Sequence, residues 1–270
     1  MRKGLILALA LAAVIFLGTV PAVSAVPICL RLSMYCGTPH LVPTLGGSVS
    51  PRKLSASEYA PATWGLFGKF ATSDGAHPPA LRELELDIDK DVKLHAKNYP
   101  VCRGGGRDLR DPKAALEACR PALLGKGEAH VEIAFPEQEP ILVRSPLTVF
   151  NGGESGGKVK LLIHIFITVP VPAAVVTEVT IVRKGSGIHT VSKVPVIAGG
   201  SGSLVDFTFK LGKTYSYKGK KVGYFEAKCP DGVFKANVKK ILFKNEAQTP
   251  GEGASIQLKG NLAVPCTRKS

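Results

Sequence analysis

One segment of the sequence has the composition of a nucleophile loop. In Gly152-Gly153-Glu154-Ser155-Gly156-Gly157 a serine is flanked by glycines, as in chymotrypsin-like serine proteases, where histidine and aspartate activate the hydroxyl. The activating histidine and aspartate have no clear counterparts in this sequence. His40 and His77 lie beside prolines, and Glu154 occupies the position where the proteases have aspartate. A glycine-rich hairpin turn between two strands explains the same residues. The turn is therefore the preferred interpretation.

A second segment, Asp87-Ile88-Asp89-Lys90-Asp91, has the spacing that begins a calcium-binding loop. The match then ends, because Val92 replaces the required glycine and Asn98 replaces the bidentate glutamate. Glycoside hydrolysis needs two carboxylates that face each other across a cleft. Carboxylates that are neighbours on one strand do not predict such an arrangement. We interpret these carboxylates as the wet face of a strand whose other face is Leu84, Leu86 and Ile88.

The histidines are scattered, and no two have the spacing that would bring both onto one metal ion. They are His40, His77, His95, His130, His164 and His189. His164 shares a strand face with Leu162 and Phe166, so we expect a semi-buried, structural histidine. The run Gly199-Gly200-Ser201-Gly202-Ser203 lies between strands rather than before a helix and is a turn. The sequence therefore predicts no catalytic residue, no cofactor and no metal ligand.

The first 25 residues match a secretory signal peptide. Arg2 and Lys3 precede an uncharged apolar run, and small residues ending at Ala25 form a cleavage site. The predicted mature chain begins at Val26 and has no segment that could span a membrane without a charge or a proline. An even number of cysteines in an oxidising compartment predicts disulfides rather than metal binding. Sequence alone does not choose the pairing, but proximity favours Cys29–Cys36, Cys102–Cys119 and Cys229–Cys266.

Most of the chain has the alternating pattern of half-buried strands. With 45% hydrophobic and 21% charged residues, the 270-residue chain is neither disordered nor collagen-like. The residues of 158–169 place six branched side chains on one face, so that strand should be central. The predicted strands are 48–50, 62–71, 84–88, 129–135, 147–150, 158–169, 174–182, 188–194, 204–211, 214–217, 222–228, 233–243 and 255–259.

A single helix interrupts these strands. Asp111 is a good N-cap, Pro112 suits the first helical position, and alanine-rich residues follow, which predicts one short helix near 112–123. The turns between strands include Asn151-Gly152-Gly153 and Pro230-Asp231-Gly232. We predict an all-β fold, an antiparallel, jelly-roll-like β-sandwich forming a single domain over 26–270. A closed barrel with a ligand cavity is the alternative.

Positive charge is concentrated in the C-terminal half. Residues 26–150 hold 15 Lys plus Arg against 14 Asp plus Glu, whereas residues 151–270 hold 18 against 7, giving net charges of +1 and +11. Lysine acts as a solvated point charge and favours nonspecific attraction to polyanions such as cell-wall polymers or acidic glycans. A solubilising surface would explain the same excess, and specific nucleic-acid recognition is not indicated. The candidate contacts are Lys218, Lys220, Lys221, Lys239 and Lys240.

Several segments spread over most of the mature chain carry a family resemblance. They are residues 72–83, Phe150-Asn151-Gly152-Gly153, residues 193–200, Tyr217-Lys218-Gly219-Lys220-Lys221 and Cys229-Pro230-Asp231-Gly232. Together they resemble an uncharacterised family of exported β-rich proteins of high-GC Gram-positive (actinobacterial) bacteria. The resemblance implies a shared exported fold and supplies no catalytic residue.

Three functions remain compatible with the sequence. The sequence favours a secreted, non-catalytic binding or structural module at the cell envelope, which agrees with the signal peptide, the strands and the lysine excess. An extracellular hydrolase would need Ser155 or a carboxylate pair within reach of His164, His130 or His95. A small-ligand carrier would need an enclosed apolar cavity.

Overall fold

The protein is all-β. A computed structural model describes residues 41–185, 187–244 and 255–269, and within these ranges it contains eighteen strands and one α-helix. The strands are β1 (Leu41–Ser50), β2 (Lys53–Ser55), β3 (Ala60–Pro61), β4 (Thr63–Thr72), β5 (Ala80–Ile88), β6 (Val92–Leu94), β7 (Leu123–Phe135), β8 (Gln138–Ser155), β9 (Lys158–Ile167), β10 (Ala173–Lys184), β11 (Gly187–Lys193), β12 (Gly202–Leu211), β13 (Thr214–Tyr217), β14 (Lys220–Gly223), β15 (Phe225–Ala227), β16 (Val233–Lys244), β17 (Ser255–Pro265) and β18 (Thr267–Lys269).

Eleven of these strands form one antiparallel sheet in the order β1-β4-β12-β7-β8-β9-β10-β11-β5-β16-β17. The sheet curls until its end strands β1 and β17 are in contact, so it is nearly barrel-shaped. Rings from β4 and β16 pack across the interior, with ring centroids 4.9 Å apart for Trp64 and Phe234 and 5.4 Å apart for Phe70 and Phe243. The predicted antiparallel sandwich is confirmed, and one continuous sheet supplies both of its layers.

β9 is the sixth of the eleven strands and therefore central, as its pattern predicted. Leu161, Ile163 and Ile165 face the interior of the curled sheet. The opposite face would be exposed on a two-layer sandwich, yet Leu162 and His164 on that face are buried. Additional chain must therefore cover the outer side of β9.

A helical segment covers the outer side of β9. Helix α1 (Pro112–Cys119) begins after Asp111, whose carboxylate accepts a hydrogen bond from the Ala114 N–H at 2.8 Å. A 3-10 turn over Arg120–Ala122 continues it, which agrees with the helix predicted near 112–123. The cover and the outer face of β8 and β9 share a small apolar cluster of buried residues. Its buried members are Cys102, Leu109, Ala115, Cys119, Ala122, Phe150 and Leu162.

Two of the three cysteine pairings favoured by proximity are present. Cys102–Cys119 joins the segment before α1 to the end of the helix, and Cys229–Cys266 joins the chain before β16 to the end of β17. Disulfides are typical of proteins that fold in an oxidising environment. The third predicted pair, Cys29–Cys36, lies outside the described residues, as does the predicted signal peptide.

Two local predictions are wrong. Asn151-Gly152-Gly153 is not a turn but an irregularity inside the long strand β8, where the register with β9 shifts between Asn151 and Gly153. The turn lies four residues later, where Gly156 and Gly157 both have positive φ. Residues 222–228 are not one strand, because the chain divides at Tyr224 between β14 and β15. Glycine is present at the irregular backbone in both cases, as Gly152 and Gly223, but it does not predict which irregularity forms.

Candidate binding site inside the sheet

The interior of the sheet contains a cavity of about 240 Å³. Every strand of the main sheet contributes lining residues, because each strand turns alternate side chains inward. The lining is almost entirely apolar, and its only charged member among the described residues is Lys235, which is exposed. A void of this kind is larger than those left by ordinary close packing in protein interiors.

The two walls of the cavity differ in side-chain size. β4 and β12 are the second and third strands of the order, whereas β10 and β11 are the seventh and eighth, so they lie on opposite sides of the nearly closed sheet. The first wall supplies rings such as Trp64 and Phe207, and the second supplies only short side chains. We attribute the unfilled volume to these short side chains of β10 and β11. The members of this second wall are Val175, Thr177, Val179, Ile181, Ile188, Thr190 and Ser192.

Several apolar residues that line the cavity retain solvent-accessible surface. Leu66, Leu84, Ile163 and Phe207 all line the cavity, and all are only half-buried. Leu84 lies between Glu83 and Glu85, and Phe207 lies between Asp206 and Thr208, as expected where the apolar and polar faces of a strand alternate. A ligand that filled the cavity would remove this apolar area from contact with water or void.

Unfilled space in a protein interior is unfavourable, because the side chains around it lose packing contacts. An apolar space of this size inside the sheet therefore favours a functional interpretation over a packing defect.

The predicted site residues do not assemble into a catalytic centre. Ser155 is the last residue of β8 and is exposed at the tip of the β8–β9 hairpin. Asp87 lies on the outer face of β5, where Asp87 Oδ1 is 2.6 Å from His189 Nδ1 and Asp87 Oδ2 is 3.5 Å from Lys239 Nζ. Asp89 accepts hydrogen bonds from the backbone N–H groups of Asp91 and Lys235. Within the described ranges no three potential metal ligands cluster together.

Each described histidine has a partner other than Ser155. His95 Nε2 lies 3.0 Å from Glu226 Oε2, and His130 Nδ1 lies 2.6 Å from Asp206 Oδ1. His164 is 1% exposed, and its Nε2–H donates to the Leu109 carbonyl at 2.9 Å. Burial lowers the pKa of His164, as expected for an imidazole removed from water. His164 is therefore the satisfied structural histidine that the sequence predicted, although it is more completely buried than expected.

A carboxylate, an imidazole and a hydroxyl do meet elsewhere, at a place the sequence did not indicate. Glu132 Oε1 is 2.6 Å from His77 Nδ1, and His77 Nε2 is 3.1 Å from Ser203 Oγ. The order carboxylate, imidazole, hydroxyl is that of the catalytic triad of serine hydrolases. Ser203, however, is 2% exposed in β12, so a substrate carbonyl could not reach its hydroxyl. We assign these contacts to anchoring residues 73–79 on the outer face of the sheet.

The five candidate polyanion contacts fall into two groups. Lys218, Lys220 and Lys221 lie at the tip of the β13–β14 hairpin, exposed and without an ion-pair partner among the described residues. Lys240 lies on β16, with its Nζ 2.8 Å from Glu83 Oε2. That hydrogen bond lowers the pKa of Glu83 and raises the pKa of Lys240. Lys239 pairs with Asp87, so two of the five lysines already neutralise carboxylates of β5.

No protein-family model, curated protein or solved structure matches the chain. In the part of the chain that the structure describes, no helix has both the length and the apolarity needed to cross a membrane.

Proposed function

We propose that this protein is an exported, non-catalytic binding protein that holds a small apolar ligand inside its curled β-sheet. The observation that carries the proposal is the interior cavity of about 240 Å³ with its apolar lining. Binding sites for small molecules are typically concave and mostly apolar, with few polar groups. The proposal makes the protein the ligand carrier that the sequence left as an alternative to the envelope module.

The volume limits the ligand to a small molecule. A cavity of about 150 Å³ holds benzene, so the larger cavity here would hold about ten carbon atoms. Burying eight methylene groups at about 0.8 kcal/mol each corresponds to a Kd on the order of tens of micromolar. We therefore expect short-chain or monocyclic apolar molecules to bind and long acyl chains to be excluded.

Trp64 makes the proposal testable by fluorescence. It is the single tryptophan of the chain, and it lines the cavity. Because bromine quenches indole fluorescence on contact, titration with 1-bromooctane should quench Trp64 with a saturable curve. A linear, non-saturating response equal to that of free tryptophan would contradict binding inside the sheet.

A pair of matched variants locates the binding event. Val179→Phe places a larger side chain on the cavity wall, whereas Val182→Phe places it on the outer face of the same strand, opposite His189. We expect Val179→Phe to weaken the quenching at least tenfold and Val182→Phe to leave it unchanged. Equal effects of the two variants would show that the ligand binds elsewhere.

A second candidate function, retention at the cell envelope, is supported by the unpaired lysines of the β13–β14 hairpin. Three exposed charges within four residues favour nonspecific attraction to anionic polymers at low salt. Secretion through the predicted signal peptide belongs to the same proposal. Binding to isolated cell walls should weaken strongly between low and high ionic strength, because solvent-exposed charges are screened.

Charge-matched variants distinguish the contribution of this hairpin to cell-wall retention from that of the overall positive charge. Replacing Lys218, Lys220 and Lys221 together with glutamine should abolish the retention at low salt. The control replaces three exposed lysines on other strands, Lys53, Lys259 and Lys269. The proposed role of the hairpin is wrong if both triple variants lose retention equally.

A further inference from the structure

The wall of the cavity formed by β10 and β11 carries three hydroxyl groups. Thr177, Thr190 and Ser192 all line the cavity, in contrast to the hydrocarbon side chains around them. The register places them in one patch, because Ser192 is opposite Val179, two residues from Thr177, and Thr190 is two residues before Ser192. Neighbouring and diagonal positions of an antiparallel pair lie within side-chain reach of one another.

These hydroxyls have no side-chain hydrogen-bond partner among the described residues. Thr190 is 8% exposed, whereas Thr177 and Ser192 are half-buried. A buried hydroxyl without a partner is unfavourable compared with an isosteric hydrocarbon. Threonine is common in strands for its own conformational reasons. Serine is not among the residues that strands favour, and Ser192 nevertheless lines the cavity. The patch is therefore a set of hydroxyl-bearing side chains on the wall of an otherwise apolar cavity.

We infer that the cavity selects neutral ligands with one oxygen-bearing group, such as a small alcohol or ketone, over pure hydrocarbons. This inference rests on the proposed function. A hydroxyl can both donate and accept, so the patch can pair with a ligand hydroxyl or carbonyl. The one charged residue of the described lining, Lys235, is exposed, and transferring an unpaired charge into an apolar cavity is strongly unfavourable. The rest of the ligand is held by the hydrocarbon lining.

The experiment compares two probes of similar size, 1-octanol and 1-bromooctane. Trp64 quenching gives the affinity for 1-bromooctane, and its displacement gives the affinity for 1-octanol. Thr190→Val and Ser192→Ala remove a hydroxyl with little change of shape. We expect each variant to weaken 1-octanol binding about 3- to 10-fold, the range of one hydrogen bond, while 1-bromooctane binding stays the same or strengthens.

Thr180→Val is the matched control, because Thr180 is opposite Lys160 and Val191 on the outer face of β10. It should leave both affinities unchanged, and thermal unfolding of all variants verifies that they fold. The inference is overturned if Thr190→Val and Ser192→Ala alter both probes equally or alter neither, while the wild type still binds both. If the wild type binds neither probe, the proposed function itself fails.

Discussion

At the scale of single residues, Asn151 forms the most connected buried polar site. Its Nδ2 donates to the Pro100 carbonyl at 2.9 Å, and its Oδ1 accepts from the Tyr224 hydroxyl at 2.8 Å and from the Gly153 N–H at 3.1 Å. Both Asn151 and Tyr224 have no exposed surface. One amide side chain therefore ties the irregular part of β8 to the segment before the helix and to the chain between β14 and β15.

We predict that Asn151→Ala destabilises the protein by about 3 kcal/mol, because it leaves several buried groups without partners. Urea unfolding measures the change. Asn261→Ala, at an exposed position on β17, is the control and should cost less than about 0.5 kcal/mol. A loss for Asn151→Ala as small as that of the control would show that the network contributes little.

His164 predicts a dependence of stability on pH. Because burial lowers its pKa in the folded state, the unfolded chain binds more protons below an unfolded pKa of about 6.5. Stability should therefore fall as pH decreases below about 6.5, until the folded pKa is passed. His164→Gln should remove this contribution, which for one proton is at most about 1.4 kcal/mol per pH unit. Urea unfolding between pH 7.5 and 5.0 tests it, and identical slopes in both proteins would refute it.

At the scale of elements, the Cys102–Cys119 disulfide holds the helical cover on the outer face of β8 and β9. The bond spans 17 residues, and a loop near this length corresponds to about 3 kcal/mol of stabilisation. We predict that Cys102→Ala with Cys119→Ala accelerates hydrogen exchange in α1 more than in β7 or β12.

The second disulfide provides the matched comparison. Removing Cys229 and Cys266 should accelerate exchange in β16 and β17 instead, because that bond joins their far ends. If both double variants accelerate exchange uniformly through the sheet, the disulfides stabilise the whole fold rather than their own elements.

The sequence was informative about elements because their signals are local. Alternation revealed β9, and Asp111 with Pro112 revealed the start of α1. The irregularity at Asn151 was missed, because its shape depends on Tyr224, which is 73 residues away. Similarly, nothing in the sequence pairs His77 with Glu132, 55 residues later. These contacts depend on strand order, which no local pattern encodes.

At the scale of the whole molecule, the cavity was predicted only as an alternative. Inward-facing Val, Ile and Leu alternate with polar residues in the same way whether the interior of the sheet is filled or hollow. The sequence pattern therefore does not reveal a cavity. The volume depends on which side chains face each other across the curled sheet, here rings of β4 and β12 against short side chains of β10 and β11. This long-range matching decides between a solid sandwich and a hollow one.

Crystals soaked with 1-bromooctane test the central claim most directly, since anomalous scattering locates bromine without ambiguity. The account predicts one dominant bromine position inside the sheet, between Trp64 on one wall and Val179 on the other, and its disappearance in Val179→Phe. Bromine found only on the outer surface, or a wild-type interior without bromine at saturating concentration, would contradict a ligand-binding interior.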